Sequence, residues 1–251
     1  MVRILALLSD RGEASLTDLA QQLNVSAATI RRDVAALADQ HLLIRTHGGA
    51  RSLADSTELP ERLRNQQSKP QKQAIARLVA KVLSSSPQLL ALCGGTTTME
   101  VLRSLRHRSD LTIVTNSLTI GLEAANLGQS RVLMTGGVLR ANSLELVGNL
   151  AENTFRHVAI DTAILGTGGI SAAAGATTHD EVEARTNAAM VQQAKHVIVV
   201  ADGSKVGRNN SAPVAPAKEI DVLVTDESAD PNELRHLQLQ GIRVHVARSG
   251  R

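Results

Sequence analysis

Two adjacent arginines, Arg31 and Arg32, lie near the start of a segment that has the pattern of an amphipathic helix. Apolar residues at the i, i+4 and i+7 spacing predict one buried stripe, formed by Ile30, Val34 and Leu37. The opposite face then carries Ala28, Thr29 and Arg32, with Arg31 on its flank. Small residues beside an arginine let a helix enter the major groove of DNA, where a guanidinium can contact O6 and N7 of guanine. The segment is therefore predicted to read DNA.

Ser26 precedes this segment and is a typical N-cap residue. Its hydroxyl and the free N–H groups of the helix start could contact phosphate oxygens. A short basic ribbon follows the helix, and three of its side chains could contact the flanking backbone or the minor groove: Arg45, His47 and Arg51. The alternative is that the paired arginines only form a solvated helix face, bridged to Asp33 or Asp39.

Positioning these side chains requires a helix–turn–helix and a ribbon behind it. Helices are predicted from Val2 to about Ser9, from the cap residue Ser15 to about Leu23, and from Ser26 to about Asp39. Residues 42–46 and 50–53 are predicted as short strands around a His-Gly-Gly turn. We therefore predict a small α+β DNA-binding domain over residues 1–53. Residues 54–71 are polar, contain two prolines and are predicted to be a linker.

The segment 72–251 has a different pattern, in which near-continuous apolar strands alternate with helices. That alternation predicts an α/β domain with a mainly parallel sheet, covered by helices on both faces. Several predicted strands end in loops rich in Gly and Thr. Because ligands collect outside the carboxyl ends of parallel strands, these loops are predicted to line one anion pocket. Its predicted residues are Gly94, Gly95, Thr96, Thr97, Thr98, Thr115, Asn116, Ser117, Gly136, Gly137 and Lys205.

An alternative remains for these loops, since Gly-Thr loops also cap helices and Gly-Gly pairs also form tight turns. No metal site or cofactor site is predicted, because the histidines lack ligand spacing and neither a P-loop nor a dinucleotide-binding glycine motif is present. The single cysteine, Cys93, excludes an intrachain disulfide. With no long apolar run and no signal-peptide pattern, the sequence predicts a cytoplasmic protein without a membrane partner.

The segment LTDLAQQLNVSAATIRRDVAALADQHLLIRTHGGA resembles the winged helix–turn–helix of DeoR-type bacterial transcriptional repressors. Their signature contains Val-Ser, Thr-Ile-Arg-Arg-Asp and Arg-x-His-Gly-Gly-Ala. The later motifs GTTT, TNS, MTGG-x-LR, LVGNLAE, THDE-x-EA and ADGSK-x-GR resemble the sensor domain of the same regulators. Such a sensor domain is similar in fold to ribose-5-phosphate isomerase. The resemblance adds Arg140, Gly168 and Glu181 to the predicted pocket.

The resemblance implies a repressor of a carbohydrate-use operon that binds double-stranded operator DNA. A phosphorylated sugar or a related intermediate would change its affinity for DNA. Two features depart from the family pattern. Cys93-Gly94-Gly95 stands where Asp-Ser-Gly is usual, and Gly168 stands where Asp is usual. Other glutamates of this part, Glu145 and Glu183, are interpreted as surface charges.

Proteins that carry one helix–turn–helix per chain usually bind two DNA half-sites as dimers, so a homodimer or homotetramer is expected. The alternative function is a sugar-phosphate isomerase-like enzyme with an appended DNA-binding domain. Isomerisation needs a carboxylate base near the phosphate loop. The acidic cluster of related isomerases is replaced here by Thr167-Gly168-Gly169, and we therefore predict no enzymatic activity.

Overall fold

Short helices and a three-stranded sheet make up the first unit of the chain, Met1–Arg64. The computed structural model describes residues 1–39, 42–52, 58, 61–65, 67–86, 88–128 and 131–248. The helices of the first unit are α1 (Val2–Arg11), α2 (Leu16–Leu23), α3 (Ala27–Asp39) and α4 (Glu61–Arg64). Its strands are β1 (Glu13–Ser15), β2 (Ile44–Thr46) and β3 (Gly49–Arg51).

Local side-chain chemistry sets the bounds of α2. The Ser15 hydroxyl accepts a hydrogen bond from the main-chain N–H of Asp18 at 3.0 Å, which satisfies one free donor of the first turn. At the other end Asn24 has a left-handed backbone, with φ of 53°, and this conformation stops the helix. Both features confirm the predicted start and end of this helix, and they deliver the chain directly into α3.

One small core holds this unit together. Helices α1, α2 and α3 and the residues before β2 contribute its fully buried side chains, among them Ile4, Leu8, Leu19, Ile30, Val34, Leu37 and Leu43. The stripe predicted for α3 is therefore confirmed. Strands β2 and β3 form the predicted ribbon, and residue 53 of the predicted return strand lies outside the described residues. Strand β1 was not predicted; it pairs with β3 in the order β1-β3-β2.

The second unit, Asn65–Arg251, alternates strands and helices along most of its length. Its helices are α5 (Lys69–Val82), α6 (Thr96–Ser104), α7 (Leu118–Asn126), α8 (Asn149–Arg156), α9 (Glu181–Gln193) and α10 (Pro231–Leu239). Its strands are β4 (Gln88–Leu92), β5 (Leu111–Thr115), β6 (Arg131–Met134), β7 (Val138–Arg140), β8 (Glu145–Val147), β9 (Ile160–Gly166), β10 (Gly169–Ser171), β11 (Gly175–Thr178), β12 (Ala194–Val200), β13 (Ala212–Ala215), β14 (Val222–Asp226) and β15 (Arg243–Ala247).

Seven of these strands form one sheet in the order β15-β14-β12-β9-β4-β5-β6, and every pairing within it is parallel. Alternate residues of the central strands enter two separate cores. On β4, for example, Leu90 and Leu92 pack with α5, α6 and α7, whereas Ala91 packs with α8, α9 and α10. The predicted α/β class, with a parallel sheet covered on both faces, is confirmed.

Two small antiparallel sheets were not predicted. The hairpin β7–β8 follows the edge strand β6, and strands β10, β11 and β13 form a three-stranded sheet. Each of these strands is only three or four residues long. Strands this short carry no periodic pattern of their own, and β11 also pairs with a strand that is distant in the chain, with Ala176 opposite Ala215.

The predicted linker, residues 54–71, is described only in part, because residues 54–57, 59, 60 and 66 lie outside the described residues. Within it the structure has helix α4, and α5 already begins at Lys69. The limits of 1–53 and 72–251 for the two domains stay predictions. Among the helices of the described residues, none has the length and apolar character needed to cross a membrane.

Candidate functional sites

The face of α3 opposite its buried stripe is exposed to solvent. Ala28, Thr29, Arg31 and Arg32 are all exposed, whereas Ile30, Val34 and Leu37 are at most 1% exposed. The Ser26 hydroxyl accepts a hydrogen bond from the main-chain N–H of Thr29 at 3.1 Å, so Ser26 caps the helix as predicted. The two arginines are thus fixed to a rigid helix near its first turn.

The alternative for these arginines was a solvated helix face bridged to Asp33 or Asp39. Neither Asp33 nor Asp39 lies within 4.0 Å of a guanidinium nitrogen of Arg31 or Arg32 among the residues that the structure describes. Within the described part of the chain, neither guanidinium group is therefore neutralised by these two carboxylates. This arrangement favours the DNA-contacting interpretation over a face neutralised by its own carboxylates.

The ribbon behind α3 exposes all three of its predicted side chains, Arg45, His47 and Arg51. The register places Arg45 opposite Ala50, and Arg51 opposite both Ile44 and Glu13. Because directly opposed residues share a face of the sheet, the two arginines belong to opposite faces. The sequence could not indicate this separation, since it depends on the register and on strand β1.

The predicted pocket loops lie at one edge of the seven-stranded sheet. Along the chain the sheet grows from β4 through β5 to β6, and then continues on the other side of β4 with β9. The order of the strands therefore reverses between β4 and β9. In open α/β sheets such a switch point leaves a crevice outside the carboxyl ends of the strands, where ligands bind.

The loop after β4 opens this crevice. Gly95 is the N-cap of α6 and has φ of 126°, a conformation that favours glycine. The first N–H groups of α6, those of Thr96 to Thr98, have no acceptor within the helix and point toward the crevice end. The Thr98 hydroxyl donates to the carbonyl of Gly95 at 2.7 Å, which braces the turn. The predicted loop thus has the form of an anion cradle.

Cys93 lies beside this cradle but is buried and chemically shielded. Its Sγ accepts from the N–H of Gly166 at 3.1 Å and donates to the carbonyl of Gly94 at 3.3 Å. The pKa of the thiol is raised well above its usual value, mainly by burial and to a smaller extent by the nearby charge of Glu145. The thiol therefore stays protonated, and its role is to join the ends of β4 and β9.

The carboxyl group of Glu145 occupies the cradle itself. The main-chain N–H of Gly94 donates to Glu145 Oε1 at 2.6 Å, and the Glu145 side chain is 2% exposed. A Cβ atom on residue 94 would lie 2.5 Å from Glu145 Cγ, so only glycine leaves room for this contact. The departure from the family pattern at Gly94 thus has a physical consequence.

Glu183 is the second buried carboxyl group at this site. It is 6% exposed; its Oε1 accepts from the Thr178 hydroxyl at 2.6 Å and its Oε2 from Arg140 at 3.1 Å. Arg140 also contacts Asp180 Oδ2 at 3.3 Å. The pKa of Glu145 is raised to about 8, mainly by burial and to a smaller extent by repulsion from Glu183. The interpretation of Glu145 and Glu183 as surface charges is wrong.

The loops after β5 and β6 add buried polar groups. Thr115, Asn116 and Ser117 are fully buried; the Thr115 hydroxyl donates to the carbonyl of Leu92 at 2.6 Å, and Ser117 caps α7. Asn116 Oδ1 and Thr135 Oγ1 have no hydrogen-bond partner among the residues that the structure describes. Buried polar atoms are normally paired, so these two atoms are candidates for ligand contacts.

Four further predicted residues lie around this region. Gly136 and Gly137 follow β6, and the backbone of Gly137 lies against that of Val147 in the hairpin. The N–H of Gly168 already donates to the carbonyl of Thr177 at 3.0 Å. Lys205 follows β12 and is partly buried. With strands about 4.8 Å apart, the loops after β12 and β6 are about 19 Å apart across the sheet and cannot contact one small anion together.

Glu181 is exposed at the start of α9, two residues before the buried Glu183. The sequence therefore indicated this segment, and the structure buries Glu183 in it and leaves Glu181 exposed. A signal was present for the other missed residue, because Glu145 stands directly before Leu146 and Val147 at a strand end. A carboxylate in such an apolar run is either exposed on one face or held in a site. Only the tertiary structure distinguishes these cases.

An exposed basic recognition helix in one unit and a switch-point crevice in the other define a ligand-responsive DNA-binding protein. Two family descriptions match the chain: "DeoR-like helix-turn-helix domain" over residues 2–56 and "DeoR C terminal sensor domain" over residues 67–227. The chain belongs to the DeoR family of transcriptional regulators, and the predicted resemblance is confirmed.

Curated relatives match over nearly their whole length. The HTH-type transcriptional regulator GlpR of Haloferax volcanii is 36% identical over 243 residues, which are 96% of this chain and 94% of the relative. The glycerol-3-phosphate regulon repressor of Escherichia coli K12 is 31% identical, over 94% of this chain and 96% of that protein. The putative aga operon transcriptional repressor of Escherichia coli O157:H7 is 30% identical, over 96% of this chain and 91% of that protein.

Solved structures resemble only part of the chain. Ribose 5-phosphate isomerase from Plasmodium falciparum has a TM-score of 0.40 at 18% identity and covers 56% of this chain and 52% of its own. The translation initiation factor eIF-2B of Pyrococcus horikoshii OT3 has a TM-score of 0.43 at 14% identity, with 63% of each chain covered.

Proposed function

We propose that this chain represses a carbohydrate-use operon and that a phosphorylated sugar or a related intermediate changes its affinity for operator DNA. The observation that carries the proposal is the face of α3, where Thr29, Arg31 and Arg32 are exposed opposite a fully buried stripe. The effector acts by binding two states of the protein with different affinity, which is sufficient for a change in DNA binding.

On DNA, we assign base contacts to Arg32 and to the small residues Ala28 and Thr29. Ser26 and Arg31, at the start of α3, are assigned to phosphate oxygens, because a helix N-terminus favours anions. In the ribbon, Arg45 and His47 are assigned to the flanking backbone or minor groove. Arg51 shares its face with Glu13 and is assigned a weaker contribution.

In the second unit, the effector's oxyanion is assigned to the cradle formed by residues 94–98. Asn116 and Ser117 follow the neighbouring strand β5 and are close enough to contact the rest of a small ligand. Arg140, which is bonded to Glu183, is assigned as a positive charge of the site. The other predicted residues are assigned to the periphery of the crevice: Gly136, Gly137, Gly168, Glu181 and Lys205.

The name of one relative gives a first choice of effector. The glycerol-3-phosphate regulon repressor of Escherichia coli K12 matches along nearly the whole chain. Glycerol 3-phosphate is therefore the first compound to test, followed by hexose and amino-sugar phosphates. Because the chain binds DNA, we place it in the cytoplasm.

The proposal is tested by a gel shift with the promoter that lies beside the protein's own gene. We expect a specific complex whose affinity falls steeply with salt, because phosphate contacts release counterions. One phosphorylated sugar of the panel should change that affinity, whereas its unphosphorylated counterpart should not. A chain that binds this promoter no better than unrelated DNA would refute the proposed function.

Assembly is part of the proposal, since one helix–turn–helix reads only one half-site. We expect a homodimer or a homotetramer. Sedimentation equilibrium of the full chain, with and without a duplex that carries two half-sites, distinguishes these states. A monomer under both conditions would contradict this part.

One observation favours the enzymatic alternative. Glu145 and Glu183 place two buried carboxyl groups at the cradle, where an isomerase would need a general base. We nevertheless propose a regulator without isomerase activity, because the relatives from Haloferax volcanii and Escherichia coli K12 are named as a transcriptional regulator and a regulon repressor. Incubation with ribose 5-phosphate, followed by a colorimetric assay for the ketose, tests this point; turnover would support the alternative.

A further inference from the structure

We propose that Glu145 is an internal substitute for the effector's oxyanion: its carboxyl group fills the cradle at Gly94, and an anion must displace it to bind. Glu145 thereby sets which anions the sensor unit accepts. This inference rests on the proposed effector function, since it concerns the same cradle.

The geometry of the contact supports displacement. Glu145 Oε1 accepts from the N–H of Gly94 at 2.6 Å, which is the hydrogen bond that a phosphate oxygen would make there. The Glu145 side chain runs directly over Gly94, in the space that a Cβ atom would take. An oxyanion in this cradle and the carboxyl group of Glu145 therefore exclude one another.

Main-chain contacts bring Glu145 to this place. Its two neighbours in the chain, Leu144 and Leu146, are hydrogen-bonded to the segment that follows β5. The N–H of Leu118 donates to the carbonyl of Leu144 at 3.0 Å, and the N–H of Leu146 donates to the carbonyl of Asn116 at 2.7 Å. Two buried oxygens of the neighbouring loops, Asn116 Oδ1 and Thr135 Oγ1, lack a partner among the described residues. The carboxyl group is thus positioned at a site that still has unused polar atoms.

The charged groups around Glu145 determine how hard it is to displace. Glu183 on α9 raises the pKa of Glu145. Arg140 on β7 forms ion pairs both with Glu183 and with Asp180, which precedes α9. The buried thiol of Cys93 stays protonated and adds no charge. With a pKa of about 8, Glu145 is mainly protonated at pH 7 and becomes charged above pH 8. A neutral carboxyl group yields to a dianion, whereas a charged one repels it.

The test measures binding of inorganic phosphate to the full chain by calorimetry at pH 7.5. Glu145→Ala empties the cradle and should tighten binding by about tenfold, the value of one competing hydrogen bond. Glu152→Ala is the matched control, because Glu152 is also buried, at 6% exposed, but pairs with Arg156 on α8. It should bind phosphate as the natural protein does. Thermal melts followed by circular dichroism verify that each variant is folded.

A second measurement distinguishes competition from a structural effect. Sulfate keeps its charge between pH 6.5 and pH 9, so any change in its affinity reports on the protein. The advantage of Glu145→Ala over the natural protein should grow across this range, because Glu145 gains its charge there. Glu145→Gln keeps the side chain in the cradle without a titratable group. It should bind sulfate with no such pH dependence, and it replaces Glu145→Ala if that variant does not fold.

The outcomes separate the two proposals. If the natural protein binds phosphate and Glu145→Ala binds it equally or more weakly, Glu145 is not a competitor, and the effector function stands. If Glu145→Ala binds phosphate and the natural protein does not, the competition is supported in its strongest form. If phosphate, sulfate and all sugar phosphates fail to bind either protein, both the competition and the anion cradle are refuted.

Discussion

The hydroxyl oxygens of Ser26 and Thr29 lie 2.8 Å apart at the start of α3, and the same Ser26 oxygen accepts from the main-chain N–H of Thr29. Two hydroxyls proposed to contact DNA are therefore already bonded to each other. Ser26 has a second duty, because its cap stabilises the recognition helix in the absence of DNA.

These two duties can be separated by substitution. Ser26→Ala removes the cap and should lower the free energy of unfolding by about 1 kcal/mol. Ser26→Asp keeps a good cap but places a negative charge against the DNA backbone, so stability should be retained and DNA binding lost. Urea denaturation and a gel shift on the same samples measure both. If Ser26→Asp binds DNA normally, this helix start does not face a phosphate.

Arg32 should be the main source of base specificity. Arg32→Ala should cost about 1–3 kcal/mol of specific binding, the value of one bidentate contact to guanine, and relax the sequence preference at the base that it contacts. Arg31→Ala should instead weaken all sequences alike and reduce the salt slope by about 1. Arg11→Ala, at the exposed end of α1, is the control and should leave binding unchanged. Full specificity in Arg32→Ala would remove this residue from base reading.

The two arginines of the ribbon should behave differently because they lie on opposite faces. Arg45→Ala should weaken DNA binding by roughly the value of one phosphate contact and lower the salt slope by about 1. Arg51→Ala should have a smaller effect, since Glu13 stands directly opposite it on β1. A fluorescence anisotropy titration at several salt concentrations compares them. Equal losses would mean that DNA contacts both faces of the ribbon.

Much of the fold could be predicted because its signals are local. Strands β5 and β15 coincide with short apolar runs of the sequence, and helix α10 begins at a proline, so local residues define these elements without reference to distant ones. Strand β1 and the hairpin β7–β8 were missed because their three-residue strands carry no periodic pattern of their own.

The same limit applies to the candidate site. The loop at Gly94 and Gly95 could be predicted, because glycines between a strand and a helix have a local meaning. Glu145 and Glu183 were assigned to the surface, since a carboxylate is rarely buried unless it is paired. Both are held in place by contacts between distant parts of the chain. Glu145 bonds to Gly94, which is 51 residues away, and Glu183 bonds to Arg140, which is 43 residues away. No local pattern encodes those contacts.

The raised pKa of Glu145 makes stability depend on pH in a defined direction. In the unfolded chain this carboxyl group titrates near its ordinary value of 4.5, and in the folded protein near 8. Between these values the folded state binds the extra proton, so the stabilisation is complete below about pH 4.5 and is lost as the pH rises through 8. Urea midpoints measured from pH 5.5 to pH 8.5 should fall for the natural protein and change less for Glu145→Gln. Parallel curves would show that Glu145 titrates normally.

Arg140 and Glu183 form a buried ion pair whose two charges should be needed together. The side chains are 16% and 8% exposed, and Nη1 of Arg140 lies 3.1 Å from Oε2 of Glu183. Arg140→Gln leaves Glu183 without its partner and should lower the free energy of unfolding by about 3 kcal/mol. Combining Arg140→Gln with Glu183→Gln removes the uncompensated charge, so the double variant should be more stable than Arg140→Gln alone. Urea denaturation of all four proteins completes the cycle. If the two losses simply add, the pair is not coupled, and Arg140 would be free to bind an effector at no cost to the fold.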